Sequence, residues 1–298
     1  MEKAQVLRSF PFNLVCHSLL LRDDFHPNYS WSIYFHHINP CSNAYLPAAF
    51  RHLLPPSYTF DFLDGPYTSP PAAGVSLFFN PPYYAYYHSS DPSAIRESYS
   101  FLQEHIDKNG PYDGVMCFSQ GCALVAGFLL DHQVTRPHIP VPFSCAIFIC
   151  GGMPLPIIED LGIEIPIFAR DLETQSVKEL FATAKSVETA KPGDDYWNTK
   201  AEKTSILNVE NVDMENPYGI QVPQGWKIQI PTVHIYGQKD PRRLAGLNLA
   251  SFCAGKKKVW NHGGGHDIPR LSKVSNEIAG LVKWCASAVE EEREAEGL

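Results

Sequence analysis

Asp113-Gly114-Val115-Met116-Cys117-Phe118-Ser119-Gln120-Gly121 decides how the rest of the chain is read. Gly114 to Phe118 is a short apolar run with the length of a buried strand, and Cys122 to Leu130 is a second apolar run with the length of a helix packed on a sheet. Ser119 stands at the junction. A serine on so sharp a strand-to-helix turn projects its hydroxyl above the sheet with a helix N-terminus behind it. The turn brings backbone close to backbone, so small residues are needed two before and two after the serine. Gly121 meets that need, and Cys117 is larger than glycine but still small. A serine here has a plainer reading as a helix cap, so the turn must be weighed with the rest of the chain.

Downstream, Phe143 to Cys150 reads as the next buried strand, stopped by Gly151-Gly152. Strand, helix and strand at this spacing imply a parallel sheet with a right-handed crossover. Ile228 to Tyr236 returns as a buried strand ending at Gly237-Gln238-Lys239-Asp240-Pro241, and Lys257 to Trp260 is the expected last strand. Leu271 to Glu294 is expected to be a helix. Between the inner strands, residues 153–226 form a long excursion of the kind that makes an inserted cap, with helix expected over Asp171 to Thr189. Upstream, Ser93 to Lys108 reads as a helix capped by Ser93 or Asp91 and ended at Asn109-Gly110-Pro111. Tyr58 to Leu63 alternates as a strand, Ala44 to Leu54 reads as a helix weakened at Pro47, and Ser32 to His36 as a first strand. The expected organisation is an irregular extension over residues 1–32 and one α/β domain over 33–298. Its mainly parallel sheet would carry helices on both faces. Residues 66–92 read as a proline-rich loop whose tyrosines, Tyr83 and Tyr84 among them, wall a substrate cleft.

Composition narrows the function. The formal net charge is −8 and there is no basic stripe, which argues against a nucleic-acid partner. The one basic run, Lys256-Lys257-Lys258, reads as a solvated strand edge. No apolar run approaches the ~20 residues of a membrane helix. Lys3 and Arg8 precede an apolar stretch, but Asn13, His17 and Ser18 interrupt it and no small-residue cleavage site follows, so no secretory leader is expected. The C-terminal Ala295-Glu296-Gly297-Leu298 is not a peroxisomal address of the S-K-L type. None of the 8 cysteines forms a C-x-x-C pair, and several sit in apolar runs. They read as buried hydrophobes in a reducing compartment, hence a cytoplasmic protein with no structural zinc; no cofactor is expected.

A serine hydroxyl becomes a good nucleophile only when a base takes its proton, and the base is normally a histidine held in the right tautomer by a carboxylate. In α/β-hydrolases the three follow one another as Ser, Asp or Glu, and His. Here Ser119, Asp240 and His266 each follow a candidate strand in that order, at the carboxyl ends where such sheets place their sites. Each has a plainer alternative. Asp240 before Pro241 is a good turn former, and a histidine in a glycine-rich surface loop is unremarkable. His262 is the rival base and Asp267 the rival carboxylate. His266 is preferred because Gly263-Gly264-Gly265 let the loop carry its ring to a defined point, whereas His262 lies before the glycines.

The motifs together resemble those of the fungal serine hydrolases of the FSH type, which include the LovG-like polyketide-releasing hydrolases. The resemblance runs from about Asn43 to Leu281. It is carried by Leu53-Leu54-Pro55, Asp64-Gly65-Pro66, Gly74-Val75 through Pro82-Tyr83-Tyr84, and Gly110-Pro111-Tyr112-Asp113-Gly114-Val115 with Phe118-Ser119-Gln120-Gly121. His234-Ile235-Tyr236-Gly237-Gln238-Lys239-Asp240 and Gly263-Gly264-Gly265-His266-Asp267-Ile268-Pro269-Arg270 complete it. The resemblance implies a metal-free α/β-hydrolase with Ser119, Asp240 and His266 as its triad. It implies a serine esterase or thioesterase that frees a polyketide or similar acyl chain from a carrier domain in secondary metabolism. Two features depart from the family. Cys117 replaces its usual glycine, and His36-His37-Ile38-Asn39-Pro40-Cys41-Ser42-Asn43 replaces its Leu-His-Gly-x-Gly-Thr-Asn, keeping only the asparagine. That loop should give one oxyanion N–H and Gln120 the other; Pro40 has none to give. Two other functions fit the chain: a housekeeping short-chain carboxylesterase, and an inactive hydrolase-fold binding protein, which the altered loop favours.

Overall fold

The computed structural model of the protein describes residues 18–23, 48–70, 81–187, 212–269 and 271–296. Strand β1 (Ser18–Asp23) corrects the expectation of an irregular start. Its residues carry no sustained alternation. What makes them a strand is pairing on both sides, with Leu19 opposite Phe62 along one edge and Leu20 opposite Val115 along the other. The strand expected at 32–36, the loop after it and residues 44–47 lie outside the described residues. Of the expected helix that follows, one turn, α1 (Ala48–Arg51), is formed before Pro55-Pro56. β2 (Tyr58–Leu63) takes the expected place.

The segment read as a tyrosine-bearing loop contains a second, two-stranded sheet. β3 (Tyr67–Ser69) pairs antiparallel with β4 (Tyr83–Ala85), Tyr67 opposite Ala85 and Ser69 opposite Tyr83. Strands this short leave no periodicity to read. Helix α2 (Pro92–Asn109) begins at Asp91, whose side chain accepts from the Ser93 amide at 2.8 Å, with Pro92 where its missing N–H costs nothing. Ile95, Tyr99, Leu102 and Ile106 give it one buried face.

β5 (Gly114–Phe118) is buried throughout, as is β6 (Cys145–Ile149). Between them α3 (Gln120–Thr135) buries nearly every residue from Gln120 to His132. A helix apolar all round is a sandwiched one, and α3 lies between β5 and α2. After β6 come α4 (Leu155–Asp160) and α5 (Ile167–Val187), then β7 (Thr232–Tyr236), α6 (Arg243–Ser251), β8 (Lys257–Asn261) and α7 (Ser272–Glu296).

The main sheet runs β2-β1-β5-β6-β7-β8. β5 through β8 are parallel neighbours, and β1 is antiparallel to both β2 and β5, so the sheet is mainly parallel. Helices flank it in two groups: α2 packs with α3 and α4, while α1 packs with α7 along β6 and β7. The lysine run leads into the edge strand β8: Lys256, just before it, pairs with Glu291, Lys257 donates to the Ala250 and Cys253 carbonyls, and Lys258 covers the Trp284 ring. No helix among the described residues is long and apolar enough to cross a membrane.

The middle of the sheet buries one base with no use for a proton. His234 on β7 stacks on Phe148 and bonds Thr232 Oγ1 at 3.0 Å through Nε2, while its Nδ1 meets no hydrogen-bond partner. Burial first, and Lys257 second, pull it from 6.5 to about 3. The unfolded chain therefore takes up a proton that the folded chain refuses. This contribution to stability is complete above pH 6.5 and is lost as pH falls from there toward about 3. At about 1.4 kcal/mol per unit it amounts to a few kcal/mol. Urea unfolding at stepped pH should show stability falling over this window, and His234→Gln, which keeps a polar partner for Thr232, should flatten the fall. An unchanged slope in that variant would assign the acid lability elsewhere.

Candidate active site

The turn after β5 places Ser119 with φ 52° and ψ −115°, a left-handed backbone that residues with a side chain rarely adopt. It is held by the Ser119 amide donating to the Ile149 carbonyl at 3.0 Å and by the Cys122 amide donating to the Ser119 carbonyl at 3.0 Å. The neighbouring turn is fitted to it. A Cβ on Gly151 would stand 2.0 Å from the Cys122 Cβ and 3.0 Å from the Ser119 carbonyl oxygen, so only glycine lets the ends of β5 and β6 come this close. The Ser119 side chain caps nothing on α3 and instead points at a histidine. That removes the helix-cap reading.

Asp240 leaves the end of β7 and His266 the loop after β8. A Cβ on Gly237 would lie 2.2 Å from the Gly265 carbonyl oxygen and 2.3 Å from that of Gly264, and the Lys239 amide donates to the Gly264 carbonyl at 2.8 Å. The absent side chain at position 237 is thus what lets the carboxylate loop and the histidine loop lie against each other. Asp240 Oδ1 accepts from the Arg242 amide at 2.7 Å, and Oδ2 lies 2.9 Å from His266 Nδ1. His266 Nε2 lies 2.9 Å from Ser119 Oγ. A carboxylate only accepts, so Nδ1 carries the ring proton; Nε2 is then the acceptor and the serine hydroxyl donates to it. Asp240 and His266 are buried, and the Phe118 ring tilts against the imidazole at 5.3 Å.

The rival residues are close by but turned elsewhere. His262 Nδ1 accepts from the Gly264 amide, and its Nε2 lies 3.6 Å from Cys150 Sγ. Burial pulls His262 down to about 4, so it is neutral over the ordinary pH range. The carboxylate on His266 is that of Asp240, not of Asp267. Cys150 has a left-handed φ of 51° at the end of β6, and burial, then Asp240, pushes its thiol up, so it is not a thiolate. Cys150, Asp240 and His266 present donors within 4.8 Å of one another, a group that a metal ion uses. In this arrangement the imidazole and carboxylate already engage each other and the serine.

Three contributions were not visible in the sequence. Gln120 is the residue whose amide was expected in the oxyanion hole, and its side chain also clamps the aromatic wall: Oε1 accepts from the Tyr86 amide at 3.1 Å and Nε2 donates to the Tyr87 carbonyl at 3.0 Å. The pocket at Ser119 is lined by Tyr87, Leu180 of α5 and Arg242, with Gln120, Ala123 and Cys150. Tyr83 and Tyr84, the expected substrate contacts, sit on β4 and are not in this lining. Arg242 is the third. A tyrosine cluster signals a wall without telling which ring faces the cleft, and nothing in Pro241-Arg242-Arg243 marks one arginine as buried.

A serine on a strained strand-to-helix turn, backed by an imidazole and a carboxylate from later strands of a mainly parallel sheet, defines the α/β-hydrolase class. Residues 46–278 match the family described as Serine hydrolase (FSH1). Esterase FPY3 of Fusarium mangiferae is 30% identical over 230 residues, 75% of this chain and 80% of that protein. Esterase alnB of Emericella nidulans is 29% identical over 248 residues, covering 77% and 86%. Serine hydrolase cnsH of Penicillium expansum is 25% identical over 229 residues, covering 71% and 93%. The chain belongs to the serine hydrolase (FSH1) family, and it is a serine esterase.

The contact at position 237 yields a direct test. Gly237→Ala should push the histidine loop off the carboxylate loop and lower kcat for a p-nitrophenyl ester by roughly a hundredfold, the scale of an ångström-sized misplacement, while circular dichroism stays native. Full activity in the variant would show that the loops tolerate the displacement.

Proposed function

We propose that Ser119 is the nucleophile, His266 the general base and Asp240 its orienting carboxylate, in a hydrolase that cleaves an ester or thioester through an acyl-enzyme. The observation that carries this reading is the unbroken chain from Ser119 Oγ through His266 to Asp240, with 2.9 Å at each link and the serine in a left-handed elbow. Ser119 Oγ attacks the acyl carbon as His266 Nε2 takes its proton, and the imidazolium returns the proton to the leaving oxygen or sulfur. Water, deprotonated by the same nitrogen, then releases the acid. The Gln120 amide, at the N-terminus of α3, donates to the oxyanion. His36 to Asn43, the stretch expected to supply a second donor, lies outside the described residues.

For the substrate we infer a bulky or long acyl group, delivered as a thioester on a carrier domain, as in polyketide release. The aromatic wall at Tyr87 and the apolar Leu180 of the 153–226 excursion support it, together with the motif resemblance to polyketide-releasing hydrolases. In this reading the excursion serves as a cap-like part of the single hydrolase domain. The buried free thiols among the described cysteines fit work in the cytoplasm. Names of the relatives support ester cleavage; the acyl group and the carrier are this reading's own.

Ser119→Ala should abolish p-nitrophenyl ester hydrolysis and fluorophosphonate labelling and leave the melting temperature nearly unchanged. Asp240→Asn and His266→Ala should each cost several orders of magnitude, with the double variant little worse than the poorer single, because a triad acts as a unit. Multiplied losses would argue that the two residues act separately.

Each additional buried methylene contributes roughly 0.8 kcal/mol at most. A medium-chain acyl thioester should therefore exceed its acetyl analogue in kcat/KM by more than roughly tenfold. Equal rates, or faster acetyl cleavage, would favour a short-chain carboxylesterase.

A further inference from the structure

Arg242 joins two parts of the protein that meet at the pocket. Its backbone amide holds Asp240 Oδ1 at 2.7 Å. Its guanidinium is buried, lines the Ser119 pocket, donates to Ser176 Oγ at 3.0 Å and pairs with Glu173 Oε1 at 2.7 Å. Glu173 and Ser176 are on α5, and Glu173 Oε2 also accepts from the buried Tyr218 hydroxyl at 2.9 Å. Burial pulls Arg242 down, but Glu173, Tyr218 and Asp240 outweigh it and keep the guanidinium firmly charged. The excursion after β6 is therefore fastened, through an ion pair between the buried Arg242 and the half-buried Glu173, to the residue whose amide orients the carboxylate.

We propose that Arg242 and Glu173 are positioning residues for hydrolysis: their ion pair locks the turn that carries Asp240 and sets the charge felt by the Asp240–His266 pair. The inference rests on the triad reading above. Two consequences follow from the geometry. Without the side-chain anchor, the Arg242 amide is free to swing and Asp240 loses its fixed aim at His266 Nδ1. Separately, the Arg242 charge acts on Asp240, the carboxylate bonded to the imidazole, and a cation beside such a pair disfavours its protonation while an anion favours it. The groups facing His266 are Ser119 and Phe118 from the elbow, Cys150 from the end of β6, Asp240 from the loop after β7, and His262 from its own loop, while Asp267, next in the chain, acts on Cys150. Of these, Cys150 stays a neutral thiol and His262 is neutral above about 4, so neither moves across the range where turnover falls.

The test is the pH dependence of kcat for a p-nitrophenyl ester, normalised to active sites counted by fluorophosphonate titration. Arg242→Gln removes a positive charge and should move the acidic limb to higher pH by roughly half a unit or more. It should also lose roughly tenfold to a hundredfold in kcat, with KM changed less. Glu173→Gln removes a negative charge and should move the limb to lower pH. The double variant removes both, so its limb should lie between those of the singles. Arg242→Lys keeps the charge and should keep the wild-type limb. A variant that merely loosens the fold would lower the site count without moving the limb. If Arg242→Gln does not fold, the shift of the limb to lower pH in Glu173→Gln, set against the wild-type limb kept by Arg242→Lys, still decides. Identical limbs in all folded variants would overturn the proposal. Failure of the triad reading looks different: Ser119→Ala would retain turnover and escape no labelling.

Discussion

The left-handed backbone of Ser119 is the constraint on which the rest of the structure depends. A φ of 52° on a residue with a side chain costs on the order of 1–3 kcal/mol, and it persists only where the surroundings over-determine it. Here they do. β5 and β6 are buried along their whole lengths and paired in register from Gly114–Cys145 to Phe118–Ile149, so the strand ends are fixed. α3 is buried on nearly all sides and cannot tilt to relax the turn. Gly151 has no side chain to hold the two turns apart. The hydroxyl therefore stands clear of the sheet, where a cap residue would have folded back on its helix.

The second half of the site is built differently. Asp240 and His266 come from loops, and loops by themselves position poorly. Their precision comes from backbone contacts between the loops: the close approach at Gly237, the bond from Lys239 to Gly264, and the Arg242 amide on Asp240. Charge is balanced in layers. The carboxylate faces the imidazole on one side and the Arg242 turn on the other, and the guanidinium is answered in turn by Glu173. Cys150 and His262, which offer alternative chemistry at the same spot, are silenced by burial, one as a protonated thiol and the other as a neutral ring.

Much of the architecture was legible. Strands β2, β5, β7 and β8 and helices α2 and α7 fall where apolar runs, caps and glycine stops placed them, because burial on one or both faces writes itself into residue type. Other elements were not. α6 begins at Arg243 with no side-chain cap, and α4 is too short for its period to register. β3 and β4 are three-residue strands whose identity lies in each other, and β1 is a strand by virtue of two partners far away in the chain.

The same division holds at the site. That Ser119, Asp240 and His266 meet could be expected from order and local pattern, since a serine at an elbow, a carboxylate after one strand and a histidine in a glycine-rich loop each leave a short-range mark. The choice of His266 over His262 rested on three glycines, and the folded protein supplies the reason in ring orientation: one Nε2 faces Ser119 and the other faces Cys150. Tyr87, Leu180, Arg242 and Glu173 leave no such mark. Tyrosine, leucine, arginine and glutamate are common everywhere, and their importance arises only when α5 is laid beside the loop after β7. Local chain chemistry was enough to specify which three polar groups converge; which side chains surround them is a matter of long-range packing, and that is decided only when distant segments meet.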